Sequence, residues 1–207
     1  MPTAAMPRPV IYYVRHGLTD WNLQGRLQGR RDTPLSERGR EQAVRCGEIL
    51  RDLFAREGRT AGDHGYVSSP LLRARSTMDV LRNALALAPD GYEIDARLAE
   101  ISFGDWEGLT YRDVLQRDKD VVNRREHNKW LFRPPGGETY EEVAARVGAW
   151  CTTLEQDTVV SAHGGTARAL IAFLGIARPD EAVHYSIDQG VVYVFADGGL
   201  ARYERSP

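Results

Sequence analysis

The sequence predicts an α/β fold built on a largely parallel sheet. Two observations carry this: short runs of β-branched and aromatic residues, and helix-length segments whose apolar positions step by three and four. The two kinds of segment alternate along the chain, which is the pattern of strands and helices stacked in layers. Residues 10–14, Val-Ile-Tyr-Tyr-Val, read as a buried strand that stops at Arg15-His16-Gly17. The polar, Gly-containing stretch through Pro34 reads as a loop. Ser36 is placed to cap a helix whose stripe is Ala43, Gly47, Leu50 and Phe54. Residues 58–65 form a linker, and Tyr66-Val67 is a second strand ending at Ser68-Ser69-Pro70. A helix striped by Ala74, Met78, Leu81 and Leu85 follows, stopped by Pro89-Asp90-Gly91, and residues 92–95 resemble a strand. Thr110 and Asp113 open a weaker helix, and residues 123–137 are the least regular part of the chain. Thr139 and Glu142 form a capping box for a helix striped by Val143, Val147, Trp150 and Leu154. Residues 158–162 are a buried strand ending at His163-Gly164-Gly165, with a helix over 167–174. Residues 191–195 and 200–203, joined by Asp197-Gly198-Gly199, make a terminal hairpin.

At 207 residues, with neither repeat nor break in composition, the expectation is one domain over 1–207, with residues 1–8 a flexible N-terminal extension. An apolar share of 42% and a charged share of 27% exclude a disordered tail, a collagen-like chain and a coiled coil. The formal net charge of −2 argues against a nucleic-acid partner. No apolar run approaches a membrane span, and the proline-containing N-terminus has no secretory h-region. Cys46 and Cys151 match neither a zinc nor a CxxC spacing and read as reduced thiols of a cytoplasmic protein. Lys119 and Lys129 are the only lysines among 27 cationic residues, so arginine abundance by itself reports composition bias.

In open α/β sheets ligands bind beyond the carboxyl ends of the strands. The first strand ends in Arg15-His16, the second leads through Ser69 to Arg73 and Arg75, and the fourth ends in His163. Adjacent strands bring these groups together, and such a concentration of positive charge makes physical sense around an anion. A phosphoryl group fits best, because guanidinium forks match its oxygens and its transfer depends on positioning and electrostatics. Histidine is a competent nucleophile near neutral pH, and a nearby carboxylic acid can protonate the leaving oxygen. An Arg-His-Gly triplet is expected by chance about 0.06 times in this composition, so it is suggestive and not decisive. His163-Gly-Gly also suits the oxyanion loop of an esterase, but the chain has no Gly-x-Ser-x-Gly elbow. The five histidines show no metal-ligand spacing, so no metal is expected.

Six ordered motifs then coincide. They are Arg15-His16-Gly17-Leu18-Thr19-Asp20-Trp21-Asn22, and Gln28-Gly29 with Asp32, Pro34 and Ser36 after it. Ser68-Ser69-Pro70-Leu71-Leu72-Arg73-Ala74 and Glu100-Ile101-Ser102-Phe103-Gly104-Asp105-Trp106-Glu107-Gly108 follow. The last two are Gly136-Gly137-Glu138-Thr139 and Ser161-Ala162-His163-Gly164-Gly165. Together they resemble the histidine phosphatase superfamily, in the branch that includes cofactor-dependent phosphoglycerate mutase, over residues 10–195. The resemblance implies a three-layer sandwich with helices on both sides of a mostly parallel sheet. It implies that His16 attacks phosphorus and becomes phosphohistidine, and that Arg15, Arg73, His163, Asn22 and the Gly164 N–H hold the phosphoryl oxygens. Gln28 and Gly29 belong to the same substrate-binding set. Glu100 is implied as the general acid, and then as the base that activates water, with Glu107 the competing carboxylate.

The motif wording separates two activities. Mutases of this branch carry Tyr where this chain has Phe103 and Lys where it has Tyr111, and Gly-Asp-Trp-Glu-Gly is similar to the phosphatase members. Arg124-Arg125 resembles the mutase arginine pair, but Glu126-His127-Asn128-Lys129 does not continue that pattern. The expectation is therefore a metal-independent phosphomonoester hydrolase acting on a small phosphorylated metabolite, without a cofactor. A mutase using 2,3-bisphosphoglycerate is the alternative, and a catalytically silent phosphate-binding scaffold the second. Arg75 and Arg168 read as helix-surface residues, Trp106 as a packing anchor, and His64, His127 and His184 as solvated or structural.

Overall fold

The computed structural model describes residues 8–117 and 119–205. The expected N-terminal extension, apart from Arg8, lies outside them. Six strands form one sheet: β1 (Ile11–Arg15), β2 (Gly65–Ser68), β3 (Glu93–Ile94), β4 (Thr158–Ala162), β5 (Val192–Ala196) and β6 (Gly199–Tyr203). Their spatial order is β3-β2-β4-β1-β5-β6. The pairs β3–β2, β2–β4 and β4–β1 are parallel, whereas β5 runs antiparallel to both β1 and β6.

The helices are α1 (Asp20–Leu23), α2 (Glu37–Arg56), α3 (Leu72–Ala84), α4 (Tyr111–Arg117), α5 (Lys119–His127), α6 (Tyr140–Cys151), α7 (Gly164–Phe173) and α8 (Pro179–Ala182). On one face of the sheet, Tyr12, Val14, Tyr66 and Val159 pack with Leu50 and Phe54 of α2 and Met78 and Leu81 of α3. On the other face, Ile11, Tyr13, Val160 and Ala162 pack with Val147 and Trp150 of α6 and Leu170 of α7. Successive strand residues point to opposite faces. Covering both faces therefore explains why β1 and β4 read as unbroken apolar runs instead of alternating ones. Each fully buried valine or leucine here contributes roughly 1.5–3 kcal/mol. The three-layer α/β sandwich expected from the sequence is what the chain forms.

Caps fix the helix starts as read: Ser36 Oγ accepts from Gly39 N, and Thr139 and Glu142 exchange the two bonds of a capping box. At the terminal hairpin, Asp197 (φ 50°) and Gly198 (φ 73°) supply the two positive angles that a tight two-residue turn needs.

The structure corrects four local expectations. Residues 123–127 are not irregular but the end of α5. Its apolar contribution is only Val121 and Val122, packed with Val114 and Trp106, too sparse a stripe for periodicity to show. The third strand shrinks from residues 92–95 to two exposed residues at the sheet edge. Helix α3 stops at Ala84, before Pro89-Asp90-Gly91, because Leu85 N and Leu87 N turn back to the Arg82 carbonyl while Ala86 takes φ 60°. The helix expected over 167–174 starts three residues earlier, directly after His163. His64, inside the linker, is buried, with its ring stacked on Phe54 at 3.8 Å between centroids.

Candidate functional site

The strand order sets β1 between β4 and β5, and β4 between β1 and β2, so the carboxyl ends of β1, β2 and β4 are neighbours. The residues that follow them, His16, Ser69 and His163, meet at that edge. His16 N donates to Ala162 O, and Ser69 N to Ser161 O, which continues the sheet's hydrogen bonding into the site. The rings of His16 and His163 lie 5.2 Å apart. Ser69 Oγ and His163 Nε2 are hydrogen-bonded at 2.6 Å.

The tautomer of His16 follows from its partner. Nδ1 sits 2.8 Å from Gly17 O, a carbonyl that can only accept, so Nδ1 carries the proton and Nε2 keeps its lone pair. Burial first, then the guanidinium groups of Arg73 and Arg15, pushes His16 well below the ordinary histidine range. His163 is lowered in the same sense, by burial and then by Arg73, His16 and Arg15. Both rings are thus held neutral. His163 is fixed from behind by Tyr13, whose Oη accepts from His163 N at 3.0 Å and donates to His163 O at 2.7 Å.

Arg73 has no exposed surface. Its Nη1 donates to Arg31 O and its Nη2 to Gly29 O, each at 2.8 Å, which fixes the orientation of the guanidinium plane. Arg15 Nη1 donates to Ile187 O at 2.7 Å. Arg15 Nε, Arg73 Nε and His163 Nδ1 are all buried with no hydrogen-bond partner. Leaving a buried donor unmatched costs about 1–3 kcal/mol, so two guanidinium Nε–H groups beside an unpartnered ring nitrogen, all around one histidine, mark a place built for acceptor oxygens.

Glu100 stands beside this group. Its Oε2 accepts from Gly165 N at 3.2 Å and its Oε1 from Ile101 N at 2.9 Å. Gly165 must lack a side chain, because a Cβ there would lie 2.3 Å from Glu100 Oε1 and 2.7 Å from Ile101 Cγ2. Glu107, the competing carboxylate, is committed elsewhere: Oε1 accepts from Arg30 N, Phe103 N and Ser102 Oγ, and its side chain is 9% exposed. It shapes the loop that carries Glu100. Gly29, at φ 52°, has room only as glycine, since a Cβ would sit 2.1 Å from Glu107 Oε1.

The remaining residues take definite places. Asn22 Oδ1 accepts from Thr19 N and Gln189 Nε2, each at 3.1 Å, so only its amide N–H groups are left to donate. Gln28 is buried and its Oε1 accepts from Thr33 Oγ1 at 2.6 Å. Trp106 is a packing residue stacked on Phe132. Arg125 pairs with Glu126 at 2.8 Å and lies over the Tyr111 ring, and Arg124 is exposed. Arg168, read from the sequence as a helix-surface residue, donates from Nε to Tyr185 O at 2.9 Å and lies beside Gly164 at the site.

Sequence reasoning missed the residues that hold the acid loop and the far wall. Glu138 accepts from Ser102 N, Arg30 and Arg146, while Arg146 also donates to Arg97 O and Glu100 O. Gln189 Nε2 donates to His16 O at 3.1 Å. Glu138 lay inside a quoted motif, and its position before the helix cap was the available signal. Gln189 and the Val183, Tyr185 and Ile187 carbonyls gave none.

The two depressed histidines imply a pH dependence of stability. The unfolded chain binds protons on both residues below about pH 6.5, whereas the native state refuses them. Unfolding therefore takes up protons, and stability falls as pH drops below that value, by up to about 1.4 kcal/mol per pH unit for each histidine. Melting curves from pH 7.5 to 5 are expected to show this loss, and inorganic phosphate to reduce it. A melting temperature that does not respond to phosphate contradicts an anion site here.

The family model of the histidine phosphatase superfamily (branch 1) matches residues 11–199. The chain is 32% identical over 205 residues to 2,3-bisphosphoglycerate-dependent phosphoglycerate mutase 2 of Gloeobacter violaceus, covering 93% of this chain and 89% of that one. It is 36% identical over 184 residues to glucosyl-3-phosphoglycerate phosphatase of Mycobacterium tuberculosis, covering 79% and 74%. The solved native structure of the mycobacterial glucosyl-3-phosphoglycerate phosphatase superposes with a TM-score of 0.75 at 30% identity, over 91% of this chain and 89% of that one. With the family's motifs ordered around one cationic pocket, and a match that spans nearly the whole chain, this protein belongs to branch 1 of the histidine phosphatase superfamily.

Proposed function

We propose that the protein is a metal-independent phosphomonoester hydrolase that works through a phosphohistidine on His16. The observation that carries this is the set of three unpartnered buried nitrogens, Arg15 Nε, Arg73 Nε and His163 Nδ1, around a histidine whose Nε2 lone pair is free. Asn22, Gln28, Gly29 and the Gly164 N–H at the start of α7 complete the cradle. Gly29 acts through its carbonyl on Arg73, and Gly164 through the unpaired first-turn donor that a helix start provides.

In the first step, Nε2 of His16 bonds to phosphorus as the ester P–O bond breaks, and Glu100 gives its proton to the departing alcohol. In the second, Glu100 takes a proton from water, whose oxygen attacks phosphorus and expels the His16 nitrogen. The products are an alcohol and inorganic phosphate, and the enzyme is returned unchanged. The substrate is a small phosphorylated metabolite, and Cys46 and Cys151, which form no disulfide, suit a cytoplasmic site of action.

Replacing the acid tests its role. Glu100→Gln is expected to lower kcat/KM for alkyl phosphates by about 10²–10⁴. For p-nitrophenyl phosphate, whose leaving group needs no proton, the loss should be far smaller. Equal losses for the two ester types assign Glu100 a role other than proton donor.

A mutase is the second reading, favoured by the Gloeobacter relative. Against it, the charge of Arg125 is already met by Glu126, Phe103 lacks the hydroxyl of the mutase tyrosine, and Tyr111 lacks the cation of the mutase lysine. Incubation with 3-phosphoglycerate and 2,3-bisphosphoglycerate separates the two, since a mutase makes 2-phosphoglycerate faster than free phosphate.

A further inference from the structure

The two pocket histidines are held through opposite ring nitrogens. His16 sets Nδ1 against Gly17 O and keeps Nε2 as a lone pair. His163 is engaged at Nε2, by Ser69 Oγ at 2.6 Å, and its Nδ1 is buried without a hydrogen-bond partner. Burial, then Arg73, His16, Arg15 and Arg146, keep the His163 ring neutral, so it carries one proton on one nitrogen. Whether Nδ1 is a donor or a lone pair therefore depends on which way the proton lies between Ser69 and Nε2.

The surroundings of Ser69 decide it. Ser69 is buried, its N–H donates to Ser161 O at 2.9 Å, and its carbonyl accepts from Ser68 Oγ at 3.0 Å, so backbone pairing places the hydroxyl. Oγ accepts from Leu71 N at 3.3 Å, and a backbone N–H can only donate. Among the described residues Oγ has no third partner. If Nε2 held the proton, Oγ would accept twice. The hydroxyl proton would then be buried without an acceptor, and Nδ1 would turn a lone pair toward any bound anion. With the proton on Nδ1, the hydroxyl donates to Nε2 and the one unmet group is an N–H that an anion can meet. Unmatched buried polar groups are costly, which favours the second arrangement.

We propose that Ser69 is a positioning residue: its hydroxyl donates to His163 Nε2, fixes the ring proton on Nδ1, and so makes His163 a hydrogen-bond donor to the phosphoryl oxygens. The proposal rests on the hydrolase reading of the pocket and adds the group that sets one of its donors. Both histidines are then the same tautomer with opposite duties. His16 offers a lone pair that attacks, and His163 an N–H that only donates. The relay from Leu71 N–H through Ser69 to His163 begins at the residue that starts α3, the helix carrying Arg73. Residues 69–73 thus supply a guanidinium and orient an imidazole together.

Long-range proton–nitrogen correlation spectra of protein labelled with nitrogen-15 in histidine read the tautomer directly, with the His163 ring assigned through bonds to its backbone. In wild type, with and without inorganic phosphate, Nδ1 should carry the proton and Nε2 none. A proton on Nε2 alone, or an imidazolium in the phosphate complex, overturns the proposal without recourse to any variant. In phosphate-free Ser69→Ala the Nε2–H form should appear, whereas Ser69→Thr, which keeps the hydroxyl, should hold the wild-type pattern. A Ser69→Ala protein that stays wholly Nδ1–H shows that something other than Ser69 fixes the ring.

Kinetics supply the second arm. Ser69→Ala should lower kcat/KM by about 10- to 100-fold, the worth of one directed donor to a charged group. The loss should be equal for p-nitrophenyl phosphate and an alkyl phosphate, because the phosphoryl group and not the leaving oxygen is affected. In a His163→Gln background the same replacement should cost less than about 2-fold, since no ring remains to be oriented. A full further loss in that background marks Ser69 as a packing residue and overturns the proposal. If wild type hydrolyses neither ester, the hydrolase reading fails, and calorimetric binding of inorganic phosphate takes the place of turnover. Binding weakened by Ser69→Ala still upholds the positioning role, and unweakened binding overturns it.

Discussion

His16→Ala should release no measurable phosphate from any ester, with kcat reduced by roughly 10⁴-fold or more. The reason is specific to this pocket. On the proposed reading Arg15 and Arg73 carry no lone pair to offer, the Nε2 of His163 is tied to Ser69, and the Glu100 oxygens are engaged by backbone N–H groups. His16 offers one, because Gly17 O takes the Nδ1 proton and burial with two guanidinium groups prevents Nε2 from acquiring one. The same electrostatics keep the nucleophile available in mildly acidic solution, so no loss of kcat/KM near pH 6.5 should trace to His16. Rapid quenching of wild type with a labelled phosphomonoester should trap a base-stable, acid-labile phosphoenzyme that His16→Ala does not form. Phosphate incorporation at an unchanged level in the variant places the nucleophile elsewhere.

Arg73→Lys should cost about 10²–10³ in kcat/KM, although the positive charge is retained. Arg73 needs its fork: Nη1 and Nη2 are held by Arg31 O and Gly29 O, which leaves Nε as a directed donor. A lysine ammonium reaches one of those carbonyls at most, strands the other in a buried setting, and presents no planar donor pair to phosphate. The stranded carbonyl removes about 1–3 kcal/mol of stability. Comparison with Arg73→Met separates charge from geometry. The methionine variant also relieves His16 of one neighbouring cation, so its histidine should protonate at higher pH and an acidic limb should move upward. A lysine variant with near-wild-type activity would show that point charge suffices.

Much of the site was legible in the sequence because its parts lie at strand ends and in short motifs. His16 and His163 each follow directly on a buried apolar strand, and Ser69 and Arg73 follow a third. Glu100 was legible only through its motif: it stands between short 3-10 turns with no periodicity to announce it. Its rival Glu107 has the same residue chemistry and lies in the same loop. What separates them is that Glu107 accepts from Arg30 N and Phe103 N while Glu100 lies against Gly165. That difference depends on segments far apart in the chain.

By itself, then, the sequence determined the α/β layering, the helix caps at Ser36 and Thr139, and which polar residues follow the carboxyl ends of the central strands. These follow from local rules: periodicity, capping chemistry, and the placing of polar groups at strand ends. Tertiary structure alone decided that one loop holds both Arg15 and Lys129, because their partners Ile187 and Val183 lie 172 and 54 residues away along the chain. It also decided that three buried nitrogens around His16 have no hydrogen-bond partner within the protein. A hydrogen bond left unmade is a property of packing, and no pattern of residue types records it.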